Sequence, residues 1–249
     1  MFDTILNHRS IRKYTGDPVP RVVLDYILEA GTRASTTGNM QVYSVIVTTD
    51  ESLKEELAPC HFNQPMVKEA PVVLTFCADF NRFNKWCRLR NAEPGFDNFL
   101  SFMTASIDAL LVAQNVCIAA EDAGLGICYL GTTTYMAEKI IGVLNLPPGV
   151  VPVTTVTLGY PDEWPELTDR LPLEAVVHME KYCDYSDSDI ENLYREKELI
   201  KSYQEFVKEN NKESLAQVFT DIRYKKSDNI LFSNTLMNVL KKQGFMNHP

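Results

Sequence analysis

The sequence predicts a mixed fold in which strands alternate with helices, of the α/β or α+β class. Three observations carry that prediction. Runs rich in β-branched and apolar residues recur at 42–49 (VYSVIVTT), 70–80 (APVVLTFCADF) and 150–161 (VVPVTTVTLGYP), the signature of strands. Between them lie stretches with apolar residues at helical spacing. The chain has 249 residues, 45% of them hydrophobic and 23% charged, enough for one large or two small domains with a sizeable core.

The first segment, FDTILNHRS, places Phe2, Ile5 and Leu6 at helical spacing. PRVVLDYILEAGTRAS reads as a helix with Val22, Val23, Tyr26, Ile27 and Ala30 on its apolar face, Pro20 at its start and Gly31 at its end. A polar loop, STTGNMQ, leads into the strand VYSVIVTT. ESLKEELAP is a short helix, and the strand after it is apolar from Val72 to Ala78, as expected of burial on both faces. TASIDALLVAQNVCIAAEDAG is the longest apolar helix, with no polar face wide enough for a surface position. ICYLG is a third strand, MAEKIIGVLNLPPG a helix stopped by Asn145 and two prolines, and VVPVTTVTLGYP a fourth strand. From about Asp184 the chain becomes highly charged and helical in pattern, and FSNTLMNVLKKQGF is a last amphipathic helix.

The formal net charge of −9 argues against nucleic-acid binding, which wants an extended basic face. The N-terminal sequence lacks a secretory pattern, and no apolar run reads as a bilayer span. The six cysteines show neither CxxC nor metal-ligand spacing, so a reduced, cytoplasmic protein without a metal site is expected. Against this acidic background, HRSIRKY sets His8, Arg9, Arg12 and Lys13 in six consecutive positions. With the Ser10 hydroxyl between them, the two guanidinium groups suit a phosphate monoester. A solvated, salt-bridged surface is the other reading of the same residues. There is no GxSxG nucleophile elbow and no GxGxxG fingerprint.

The ordered set HRSIRKY, ASTTGNMQ, FNQPMVKEAPVVLTFCADFNR, GLGICYLG and LNLPPGVVPVTTVTLGYP resembles the FMN-dependent nitroreductase family along essentially the whole chain. The likeness is greatest to its oxygen-insensitive nitroreductase and flavin reductase branch. The resemblance implies an α+β fold, a mixed and mainly antiparallel central sheet flanked by helices, in an interlocked homodimer with FMN at the interface. It implies an FMN-binding core over 1–183 and a C-terminal helical excursion over 184–249 that packs on the core and the partner subunit. By similarity His8, Arg9, Ser10 and Arg12 bind FMN, with both arginines near its phosphate. Thr36, Thr37, Asn39 and Gln41, with Met40 beside them, contact flavin across the dimer interface, and Gln64 contacts the isoalloxazine ring. Tyr129, Leu130, Gly131 and Thr132 line the ring near N5, and Arg170 is a second phosphate ligand. Arg223, Lys225 and Lys226 are candidates for the 2′-phosphate of NADPH, a solvated turn being the alternative there.

The implied activity is ping-pong, two-electron reduction of nitroaromatics, quinones or free flavin by NADPH or NADH. No side chain acts as nucleophile or general acid, because the flavin N5 carries the hydride. The alternative is a flavin-binding or redox-sensing protein without nitroreductase turnover. Three positions depart from the branch: Thr168 stands where a lysine is usual, Met66 where an aromatic is expected, and Thr132 where a second glycine is expected. The last adds a hydroxyl near the ring.

Overall fold

A computed structural model describes residues 2–248. The short helix α1 (Phe2–Leu6) and the helix α2 (Arg21–Thr32) precede strand β1 (Tyr43–Thr48). Helices α3 (Glu51–Leu57) and α4 (Met66–Glu69) lead to β2 (Val72–Asp79). Next come α5 (Asn81–Leu89), the long α6 (Phe99–Asp122), β3 (Gly126–Leu130), α7 (Ala137–Val143) and β4 (Val150–Gly159). The C-terminal quarter is helical: α8 (Asp187–Leu199), α9 (Lys201–Glu209), α10 (Leu215–Val218) and α11 (Lys226–Lys242). The chain forms two compact units, Met1–Glu166 with Phe232–Pro249, and Leu167–Leu231.

The sheet has the order β1-β2-β4-β3, and all three pairings are antiparallel. That resolves the class as α+β. The unbroken apolarity of β2 follows from its inner place in the sheet rather than from parallel neighbours. Val72, Leu74 and Phe76 pack with Leu24 and Ile27 of α2 and Val112 and Val116 of α6. Val73 faces the other way, toward Leu57, Met66, Val67 and Ile140, as strand alternation requires. Burying each such large side chain contributes roughly 1.5–3 kcal/mol.

Helix α2 buries Leu24, Ile27 and Gly31, while Val22 and Tyr26 are exposed, which corrects the apolar face read from the sequence. The cause is close approach to α6. A Cβ at Gly31 would lie 2.3 Å from Val116 Cγ2, so glycine sets the contact line rather than ending the helix. Helix α6 begins at Phe99, five residues ahead of the expected Thr104, capped by the Asn98 side chain accepting from Ser101 N–H. Its 24 residues are long and apolar enough to cross a bilayer by length and composition, which the sequence reading did not allow for. One side of it instead lies in the protein core, at Ala105, Ala109, Val112, Ala113 and Val116. Its other side leaves Phe99, Leu100, Met103, Ile107, Leu110 and Leu111 exposed.

Candidate functional site

The basic tract lies along the outer edge of β3. Ser10 forms a parallel bridge with Ile127, and Ile11 N–H donates to the Ile127 carbonyl at 2.8 Å. Gly126 permits this approach, since a Cβ there would meet the Ile11 side chain at 2.7 Å. Buried Tyr14 closes the segment by donating its hydroxyl to the Ile11 carbonyl at 2.7 Å. Two carboxylates that sequence reading did not pick out hold the tract in place. Glu121 at the end of α6 lies 2.6 Å from His8 Nδ1, and Glu163 accepts from Arg12 N–H at 2.7 Å.

The two arginines differ. Arg9 is engaged internally, its Nε donating to the Pro165 carbonyl at 2.8 Å and an Nη1 hydrogen to the Asn7 carbonyl at 2.9 Å. The exposed Arg12 guanidinium makes one long bond, 3.4 Å to the Ser10 carbonyl. Arg12 is thus the more available cation for an anion beside Ser10.

Strand β3 carries the chain from Ile127 beside the basic tract to Leu130, and Gly131 and Thr132 follow directly. Four residues of extended chain span about 13 Å. Leu130 is buried in the core, and Tyr129 is half-buried, its hydroxyl donating to Gln114 Oε1 at 3.4 Å. Burial, reinforced by Cys117, pushes the Tyr129 phenol well above its ordinary value, so it stays neutral. A Cβ at Gly131 would meet nothing within 4 Å, and its φ is not in the left-handed region. Neither crowding inside the chain nor backbone strain calls for glycine there, and the open space is what a side chain would fill.

The Thr132 hydroxyl does not stand free. It lies 2.8 Å from Nδ1 of His61, a wholly buried residue whose imidazole burial pushes down to about 4. His61 also accepts Gln64 N–H through its carbonyl at 3.1 Å. Phe62 and Asn63 between them both take left-handed backbone angles, φ 56° and 55°, rare for a bulky residue such as Phe. Met66, the residue at the expected aromatic position, is buried with Ile11, Tyr14 and Val67 and so offers no stacking surface.

The loop carrying Thr36, Thr37, Asn39, Met40 and Gln41 hangs on one residue that sequence reading passed over. Asp108, wholly buried in α6, accepts Thr37 N–H at 2.9 Å through Oδ1 and Val42 N–H at 3.4 Å through Oδ2. A lone carboxylate among apolar neighbours in that helix was the available signal. With its backbone held at both ends, the loop presents Thr37, Asn39 and Gln41 to solvent.

The remaining candidates lie in the unit Leu167–Leu231. Arg170 is exposed and donates from Nη1 to the Asp169 and Thr168 carbonyls, at 2.9 and 3.2 Å. The Arg223 guanidinium sits 4.4 Å from the Phe206 ring centroid, a cation–π contact. Lys225 is exposed, and Lys226 opens α11 rather than lying in a turn. Among the described residues there is no cluster of three or more His, Cys, Asp or Glu placed to hold a metal.

The sequence profile of the nitroreductase family matches residues 5–160. The chain belongs to the nitroreductase family. It is 37% identical to the FMN reductase (NADPH) of Bacillus subtilis, over 72% of this chain and 73% of that protein. Identity to the oxygen-insensitive NADPH nitroreductase of Salmonella typhimurium is 36%, over 72% of this chain and 73% of that one. Among solved structures, a crystallographically determined chain from Bacteroides fragilis is 57% identical, with a TM-score of 0.97 over 98% of this chain and 100% of that chain. The Vibrio harveyi NADPH:FMN oxidoreductase, solved with NAD+, is 29% identical with a TM-score of 0.80, over 99% of each chain. The nitroreductase residues present here fit FMN. Arg12 beside Ser10 suits its phosphate, and the uncrowded Gly131 leaves a face against which a planar ring can lie.

Proposed function

We propose that this nitroreductase is an FMN-dependent NAD(P)H oxidoreductase acting on small aromatic acceptors: nitroaromatics, quinones or free flavin. The observation that carries the reading is the arrangement along β3, an available guanidinium and hydroxyl at one end and an open glycine backbone at the other. That spacing suits a ligand with an anionic tail and a flat head. Bound FMN supplies two-electron redox chemistry between NAD(P)H and the acceptor. The chain's own residues bind and orient. Arg12 and Ser10 hold the phosphate, with His8 oriented by Glu121. Gly131 admits the ring to within contact of the backbone, Gln64 and Thr132 border it, and no side chain is needed as nucleophile or general acid.

The working form is a homodimer. The exposed stripe Phe99, Leu100, Met103, Ile107, Leu110 and Leu111 follows helical spacing along α6, and an apolar stripe of that length calls for a covering surface. A second copy of the same helix would supply one, and would bring the partner's 36–41 loop to the flavin. We assign the 2′-phosphate of NADPH to Arg223, Lys225 and Lys226, and the compartment to the cytoplasm.

The decisive experiment is an anaerobic visible titration of the purified protein. A yellow protein that bleaches with NADPH and recolours with a nitroaromatic is the expected result. A yellow protein left unbleached by NADPH and NADH would reduce the reading to flavin binding. A protein that stays colourless after FMN is added would overturn the assignment of His8–Arg12.

A further inference from the structure

We propose that His61 is a positioning residue that ties the Gln64 loop to the Thr132 loop, and that its Nδ1–H donates to Thr132 Oγ1. The Thr132 hydroxyl hydrogen is then free to donate outward, to an acceptor atom on the ring bound there. The inference rests on the proposed flavin site and concerns the residue that departs from the family pattern.

Three observations support it. His61 is wholly buried, yet two of its groups hold neighbours on different loops: Nδ1 meets Thr132 Oγ1 at 2.8 Å, and the carbonyl accepts Gln64 N–H at 3.1 Å. Its Nε2 is buried without a hydrogen-bond partner. That orphan decides the tautomer. If the Thr132 hydroxyl donated to Nδ1, the ring proton would sit on Nε2, leaving a buried N–H unmatched. Buried N–H groups without partners are rarer than under-used acceptors. If Nδ1 carries the proton, Nε2 is only an idle lone pair. Thr132 Oγ1 is then an acceptor toward His61 and retains one donor. Such a donor, fixed by a buried partner, strengthens with electron density on the atom it faces.

The test begins with nitrogen-15 NMR of histidine-labelled protein, with and without FMN. A pyrrole-like Nδ1 and a pyridine-like Nε2 at His61 are expected, and the opposite assignment overturns the proposal. The second measurement takes Thr132→Val, which removes the hydroxyl but keeps the shape, and Thr132→Ser, which keeps the hydroxyl. Thr132→Val should weaken FMN binding roughly 3- to 10-fold, the weight of one hydrogen bond, and shift the flavin absorbance band and midpoint potential. Thr132→Ser should restore all three. His61→Phe leaves the Thr132 hydroxyl in place but no longer held, so it should weaken FMN binding less than Thr132→Val does, with no added effect in the double variant.

If His61→Phe does not fold, the tautomer and the Thr132 pair still decide. Normal FMN binding, spectrum and potential in Thr132→Val would overturn the proposal alone. Failure of the unaltered protein to bind FMN would overturn the flavin reading and the proposal with it.

Discussion

The site-bearing part of the first unit and the basic residues of the second solve the problem of holding polar groups in opposite ways. In the first unit the anchors are buried. Asp108 and His61 are wholly buried and hold exposed Thr37, buried Val42 and half-buried Thr132 and Gln64. In Leu167–Leu231 the polar groups satisfy one another near the surface. Lys197 meets Asp169 at 2.6 Å beside the Tyr203 hydroxyl, Lys212 meets Asp221 at 2.9 Å, and Arg223 lies on Phe206. A buried anchor fixes geometry because losing it leaves unpaired groups in a dry interior. Exposed pairs are worth about 1 kcal/mol or less and re-form in other arrangements. Under the proposed function the first region suits a ligand of fixed shape, the second an adaptable charged surface.

The sharpest break in that comparison is Asp108→Ala. It removes the acceptor for two backbone N–H groups and opens a small void, so stability should fall by about 3–4 kcal/mol. The measurement is a urea unfolding curve, read with a proteolysis assay of the 36–41 loop. A loss below about 1 kcal/mol would show that the loop keeps its shape without the carboxylate. In the second unit Asp169→Ala should cost far less, because its partners Lys197 and Tyr203 can turn to water.

The second test uses pH. Burial holds the folded-state His61 imidazole at about 4, against an ordinary value of 6.5. Between those values the unfolded chain binds a proton that the folded chain does not, so acid favours unfolding. The full contribution is present above pH 6.5 and is lost as pH falls from 6.5 to 4. Each tenfold difference in proton affinity between the folded and unfolded chain is worth about 1.4 kcal/mol, so the loss approaches roughly 3 kcal/mol. Urea midpoints across that window check it, and a folded His61→Phe should flatten the slope. Asp169 gives the contrasting case. Burial raises its carboxyl, but the hydrogen bonds from Lys197 and Tyr203 outweigh this and leave it below the ordinary 3.8. Its contribution therefore persists through the His61 window and fades only as pH falls below about 3.8.

Much of the fold was legible because each strand announces itself locally. Val72–Ala78 can hardly be anything but an inner strand, and the double proline after Asn145 stops its helix wherever the chain goes. The face of α2 was not legible. Val22, Val23 and Leu24 are consecutive, so periodicity admits more than one apolar stripe, and contact with Val116 selects the one through Gly31. At the candidate site, the resemblance supplied the residues proposed to meet the ligand, but not the ones that hold them. His61 is 71 residues from Thr132, His8 113 from Glu121, and Arg12 151 from Glu163. No local pattern encodes such pairs. The Thr132 hydroxyl was legible as a departure, but its partner emerged only when the two loops met.

The smallest expected effect separates the regions by ligand. Arg12→Gln should weaken FMN binding about 10- to 100-fold, as expected for a charged hydrogen bond to phosphate, with little change in the NADPH-to-NADH preference. Arg223→Gln should leave FMN affinity unchanged and raise KM for NADPH only about 3- to 5-fold, as an exposed charge warrants, with KM for NADH unmoved. The small number follows from the structure. Arg223 already commits its flat face to Phe206 and Phe219, so only its edge is available to a phosphate. If Arg223→Gln raised both KM values equally, the 2′-phosphate would not be its ligand, and stacking on the two rings would be its whole role. If instead it weakened FMN as much as Arg12→Gln does, the contrast between a fixed region and an adaptable one would fail at the residue meant to exemplify it.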